Sequence, residues 1–480
     1  MNTISKIKSI FSPRDMSVGT PWKRIAEFAF PMLIGNFAQQ LYNTVDAVVV
    51  GRSKWGYTAL AAVGNAGPVM FLLLSLFVGI SIGAGVLVSQ YYGAGKSEDL
   101  GMTIGNCITI TGIVTLFIMI AGPLLTGPLL KAVDTLPEVY QDSRVYLNIF
   151  FYGISGALFY NIFAGILRGL GDSFSALIIL FICSGLNVVG DILLVDSMGV
   201  AGVALATVIS QIISAILCLL QINRLKNLFV LTRKSLVPKK KYVSDIVRLG
   251  LPSGLTQAIF SFAMLAVQAL INSFGDAMFV ACNVMVMRVD GYAMLPNFSF
   301  GQAMSTYAGQ NVGAKKLERL YSGAKQGTLM ALFTSLILTP IVLLGGPTLM
   351  GLFTPGNTQL IEMSMTMMYL ISPGYVAMSI TQCLSGVMRG AGDTVTPMWI
   401  SLFTSIIIRV PLAYALVAIA RGAGAPVLTQ QKMVFVSLLS AWTIGMIINI
   451  IVYRTGHWKK KQVNKIAEEL EQEKVAIDAE

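Results

Sequence analysis

Histidine occurs once in this chain of 480 residues, as His457, and the five cysteines include no CxxC pair. A structural zinc site, a histidine-based catalytic group and a disulfide framework all require what is missing. Cys107, Cys183, Cys218, Cys282 and Cys383 lie in apolar stretches, where they read as small hydrophobes. Charge is also scarce: 12% of residues are Asp, Glu, Lys or Arg, against about 25% in an average soluble domain. GAGKS at Gly93–Ser97 lacks the leading glycine of a phosphate loop, because Gln90 stands there, and it follows an apolar run; ATP-driven chemistry has no support.

Apolar length is what the chain has instead. Hydrophobic residues make up 55% of it, and its mean hydropathy is +0.72, which indicates an all-α, polytopic membrane protein embedded in the lipid bilayer. Twelve stretches reach the roughly 20 residues a span requires: 25–50, 58–90, 100–126, 138–167, 174–196, 200–224, 246–273, 277–309, 320–350, 358–389, 395–419 and 433–454. The first follows Lys6, Lys8, Arg14, Lys23 and Arg24 and is too long for a signal core, so no leader-like processing is expected. The net charge of +11 gathers in loops and tails, among them Lys239-Lys240-Lys241 and Lys459-Lys460-Lys461. These set orientation rather than bind nucleic acid, and place both termini on the cytoplasmic side of the plasma membrane.

The chain is doubled. Shifted by 221, Pro31 falls on Pro252; SQYYGAGKSEDL (Ser89–Leu100) echoes GQNVGAKKLERL (Gly309–Leu320), and AGILRGLGDS (Ala164–Ser173) echoes SGVMRGAGDT (Ser385–Thr394). Equal numbers of spans per half give the repeats the same topology. The expected organisation is a cytoplasmic amino-terminal segment (1–24), an N-lobe (25–224), a cytoplasmic linker (225–245), a C-lobe (246–455) and a cytoplasmic tail (456–480): twelve transmembrane helices in two pseudo-symmetric six-helix bundles.

The acids are not doubled. Asp46, near the end of the first span, corresponds to Val267, while Asn187 and Asp191 of the fifth span correspond to Ile408 and Leu412. A carboxylate on a spanning helix costs about 2.5–3.5 kcal/mol on insertion scales, so an intramembrane acid is a functional-site hypothesis by default. Asn187 and Asp191, four apart, share a helix face, and with Thr207 of the sixth span offer oxygens to Na+ or a home to a proton. The bland alternative is a capping role near a helix end, since Asp196 follows closely. Gln39, Tyr42 and Asn43 mark a wet face on the first span, and Pro31 deletes a backbone hydrogen bond where a hinge would bend. Arg288 and Asp290 of the eighth span are too close in sequence to face one another; a gating ion pair and a substrate contact are both open readings. Arg168 and Arg389, in the repeated R-G-x-G-D, read as loop-fixing residues.

Together the doubled halves, Pro31 with Asp46, GILRGLGD, Asn187 to Asp191, GVAGVALAT (Gly199–Thr207) and GQNVGA (Gly309–Ala314) resemble the multidrug and toxic compound extrusion (MATE) family over Lys23 to about Tyr453. The resemblance implies a secondary active antiporter, not an enzyme, that exports amphipathic, often cationic organic compounds in exchange for H+ or Na+. It implies a monomer with no cofactor beyond the coupling ion, and a cation site at Asp46, Asn187, Asp191 and Thr207. Members with acids in the other lobe carry them in the seventh and tenth spans, where this chain has Phe260 and Met378. The rival readings are a lipid-linked oligosaccharide flippase of similar architecture, which needs a strongly cationic cleft, and an intramembrane aspartyl enzyme.

Overall fold

The computed structural model describes residues 13–132, 135, 137–354, 356–456 and 458. His457, the Lys459-Lys460-Lys461 run and the polar tail lie outside them. Among the described residues there is no strand. The chain runs α1 (Pro21–Arg52), α2 (Gly56–Gly93), α3 (Ser97–Ala132), α4 (Pro137–Tyr152), α5 (Ile154–Gly169), α6 (Ser173–Met198) and α7 (Val200–Arg224), then two short 3-10 turns. It continues with α8 (Lys240–Asn272), α9 (Ala277–Gly313), α10 (Leu317–Phe353), α11 (Thr358–Ile371), α12 (Gly374–Gly390), α13 (Val395–Leu402), α14 (Arg409–Gly422) and α15 (Val427–Thr455). By chain order these are twelve segments in two sets of six.

Three spans expected to be continuous are interrupted. The fourth bends by 53° between α4 and α5, at Gly153, where a Cβ would run into Val208 of α7. The tenth breaks between α11 and α12 at Ser372-Pro373, where proline has no N–H to continue the ladder. The two breaks occupy the same place in each set. The eleventh contains a π-helical turn, Phe403–Ile408, between α13 and α14.

The chain forms two compact units, one of residues 1–15 and 30–254, the other of residues 16–29 and 255–480. The division therefore cuts α1 between Ala29 and Phe30, beside Pro31, and α8 between Gly254 and Leu255, beside Pro252. Within unit 1, α2 and the start of α8 touch backbone to backbone, because a Cβ on Gly79 or Gly83 would overlap Gly254 or Gly250. The linker is packed rather than loose: Asn106 Nδ2 donates to Ser235 O (3.2 Å), and Lys239 N donates to Asn106 Oδ1 (2.8 Å).

The repeated R-G-x-G-D turns share one construction. Gly171 and Gly392 take φ of 89° and 94°, which glycine alone adopts without strain. Asp172 then caps α6 by accepting from Ser175 N (2.9 Å), and Asp393 accepts from Thr396 N (3.2 Å).

Candidate functional site

Unit 1 gathers the polar residues of three spans and of α4 into one buried cluster. Asp46 lies six residues from the end of α1 and Asp191 seven from the end of α6, about 9 and 10.5 Å inside their helix ends at 1.5 Å per residue. Asp191 is fully buried and Asn187 is 1% exposed. Asp196, nearer the end of α6, accepts from Lys54 N at 3.1 Å. Gly35 brings α1 against α6, because a Cβ there would meet Leu177 at 3.2 Å.

The Asp46 and Asp191 carboxyls approach within hydrogen-bond reach. Yet Oδ1 of each is buried with no donor among the described residues. A carboxyl oxygen buried without a donor is stabilised by taking up a proton or a cation. Asn187 sits at the edge of the pair. With its Nδ2 towards the carboxyls it donates to Asp191 Oδ2 (3.3 Å) and to Tyr42 Oη (2.5 Å), while its Oδ1 accepts from Thr207 N (3.1 Å). Reversed, the amide keeps one long contact to Thr207 Oγ1 (3.4 Å); the first orientation satisfies both ends and is the one adopted here.

Thus Tyr42, Asp46, Asn187, Asp191 and Thr207 come together. Gln39 does not: it is exposed on α1. The side chain of Asn43 lies outside the described residues. Tyr146 of α4 joins the cluster unanticipated; it is 5% exposed and its hydroxyl hydrogen-bonds Thr207. Its sequence signal was weak, since a tyrosine in RVYLNIF resembles any interfacial aromatic.

In unit 2 the two eighth-span candidates stand in different surroundings. Arg288 is exposed on α9. The cation that lines unit 2's cavity is Arg409, near the middle of Val395–Gly422, which sequence reading passed over. A lone arginine inside an apolar run was itself the signal. Asp290 faces inward and hydrogen-bonds the hydroxyl of Tyr375.

The family model MatE matches residues 31–193 and again 252–415. The same pattern thus fits each half, and each match begins at one of the paired prolines. A probable multidrug resistance protein of Bacillus subtilis, YoeA, is 28% identical over 93% of this chain and 96% of its own. A probable multidrug resistance protein of Thermotoga maritima, NorM, is 26% identical over 92% and 94%. An outward-facing structure of a multidrug resistance MATE family transporter of the MOP superfamily matches in fold, with TM-score 0.86 at 22% identity over 94% of this chain and 99% of that one. Twelve membrane helices in two six-helix bundles, built by duplication, are the architecture shared with that structure. This chain belongs to the MATE family of multidrug efflux transporters and is a transporter, not an enzyme.

Proposed function

We propose that the protein is a secondary active antiporter of the plasma membrane, with both termini cytoplasmic, which works as a monomer and exports amphipathic, often cationic organic compounds in exchange for H+ or Na+. The coupling site is the unit 1 cluster of Asp46, Asn187, Asp191 and Thr207, with Tyr42 and Tyr146 beside it. One observation carries this reading: two carboxyls on different spans come close, each with one buried oxygen that has no donor among the described residues. Loading the pair closes it; unloading leaves two negative charges in close approach, which drives α1 away from α6. Pro31, at the boundary between units, is where α1 yields.

The test is ethidium efflux from cells that express wild type, Asp46→Asn and Asp191→Asn at equal level. Both variants reach the membrane in normal amount and lose efflux; wild-type efflux by either one rejects the coupling role.

A further inference from the structure

Unit 2 contains a cavity of about 270 Å³ that the coupling reading leaves unused. It is near the lower end of the roughly 300–1,000 Å³ typical of small-molecule sites. Its wall is mostly apolar, with Phe260, Val267, Phe435 and Trp442, yet it contains one acid and one base, Asp290 on α9 and Arg409 on α14. Each feels the other's charge, but Asp290 Oδ1 and Arg409 Nε have no hydrogen-bond partner among the described residues. A buried pair of opposite charges that leaves a polar atom on each side without a partner is costly, because part of the solvation lost on burial is not replaced. A molecule that bridges them supplies both missing partners.

A second observation concerns how Arg409 reaches the cavity. It is the first residue after the π-helical turn Phe403–Ile408. The extra residue of a π turn rotates everything after it by roughly 100° relative to an uninterrupted α-helix. Helices carry such insertions at functional sites more than elsewhere, since they cost hydrogen-bond geometry. Here the turn precedes the arginine that lines the cavity.

We propose that this cavity binds a zwitterionic amphipathic small molecule. Its anionic group sits on the Arg409 guanidinium, its ammonium on the free Asp290 oxygen, and its apolar body lies among Phe260, Phe435 and Trp442. The inference rests on the transporter reading only in taking the bound molecule to be cargo; binding itself does not require the carboxyl pair of unit 1.

Three fluorescent probes of one apolar body separate the charges: Nε-dansyl-lysine (zwitterion), dansylcadaverine (cation) and dansyl-6-aminohexanoate (anion). Binding to the purified full-length protein in detergent is read by fluorescence titration. Wild type binds the zwitterion roughly tenfold tighter than either singly charged probe, the factor expected of one added charge-assisted hydrogen bond. Arg409→Gln erases the preference over the cation and Asp290→Asn the preference over the anion. If Arg409→Gln fails to fold by size exclusion, Val286→Phe, which narrows the cavity and keeps both charges, weakens all three probes. Asp46→Asn separates the two proposals, since zwitterion binding persists in it whether or not efflux is coupled there. Equal affinity of the three probes for wild type, or an unchanged zwitterion affinity in the Arg409 and Asp290 variants or in Val286→Phe, overturns the proposal.

Discussion

Units 1 and 2 share a helix order, an interrupted fourth segment and glycine-aspartate turns of one construction, yet they differ where it bears on chemistry. At the positions that correspond by the 221-residue shift to Tyr42, Asp46, Tyr146, Asn187 and Asp191, unit 2 has Ala263, Val267, Met367, Ile408 and Leu412. Every polar partner is replaced by an apolar one. In place of a carboxyl pair, unit 2 has a mostly apolar cavity with Asp290 and Arg409 at positions unit 1 does not use. Packing has been kept in both copies, while the polar residues have diverged separately. An intramembrane charge is costly, and the asymmetry falls at the two proposed sites.

Four comparisons would break or sharpen this contrast. The largest effect is expected from Asp46→Asn, which should reduce ethidium efflux to the level of cells lacking the protein, while its apolar counterpart Val267→Ile leaves efflux near wild type. Next, Val267→Asp places an acid where unit 2 lacks one. It should cost about 2.5–3.5 kcal/mol by the insertion scale, seen as a lower thermal midpoint in detergent, and should not restore efflux to Asp46→Asn.

Smaller and symmetrical effects are expected where the halves agree. Gly169→Ala and Gly390→Ala each push a Cβ into a neighbouring backbone, at Gly85 O and Ser305 O respectively. Each should cost about 1–3 kcal/mol, with similar shifts in thermal midpoint. A large loss for one and none for the other would mean that the repeats do not pack alike. The smallest effect is expected from Tyr146→Phe, which deletes the hydroxyl bonded to Thr207 and should slow efflux severalfold, for a loss of about 1 kcal/mol. Met367→Leu at the corresponding place should be silent in the same assay.

Much of this was legible because duplication and membrane length are strong signals. Pro31 and Pro252, the R-G-x-G-D turns and the acids confined to one half are visible in the letters, and the helices fall close to the apolar runs. The breaks were less visible. Gly153 interrupts a span because Val208, distant in sequence, takes up the space its Cβ would need. Pro373 was readable as a break, but the apolar run on either side concealed it. Tyr146 acquires its place through Thr207, a contact between two spans that no local pattern encodes. Arg409 could have been found by treating every charge inside a span as Asp46 was treated. Its facing, however, follows a π turn that an apolar FTSIII stretch does not announce.

The central claim is that coupling resides in the facing carboxyls of unit 1. Its most direct test is substrate transport by the purified protein in lipid vesicles, with a pH gradient and a Na+ gradient imposed separately. The account predicts that one of the two gradients drives transport by wild type and that neither drives transport by Asp46→Asn or Asp191→Asn. Gradient-driven transport at the wild-type rate by either variant would contradict it.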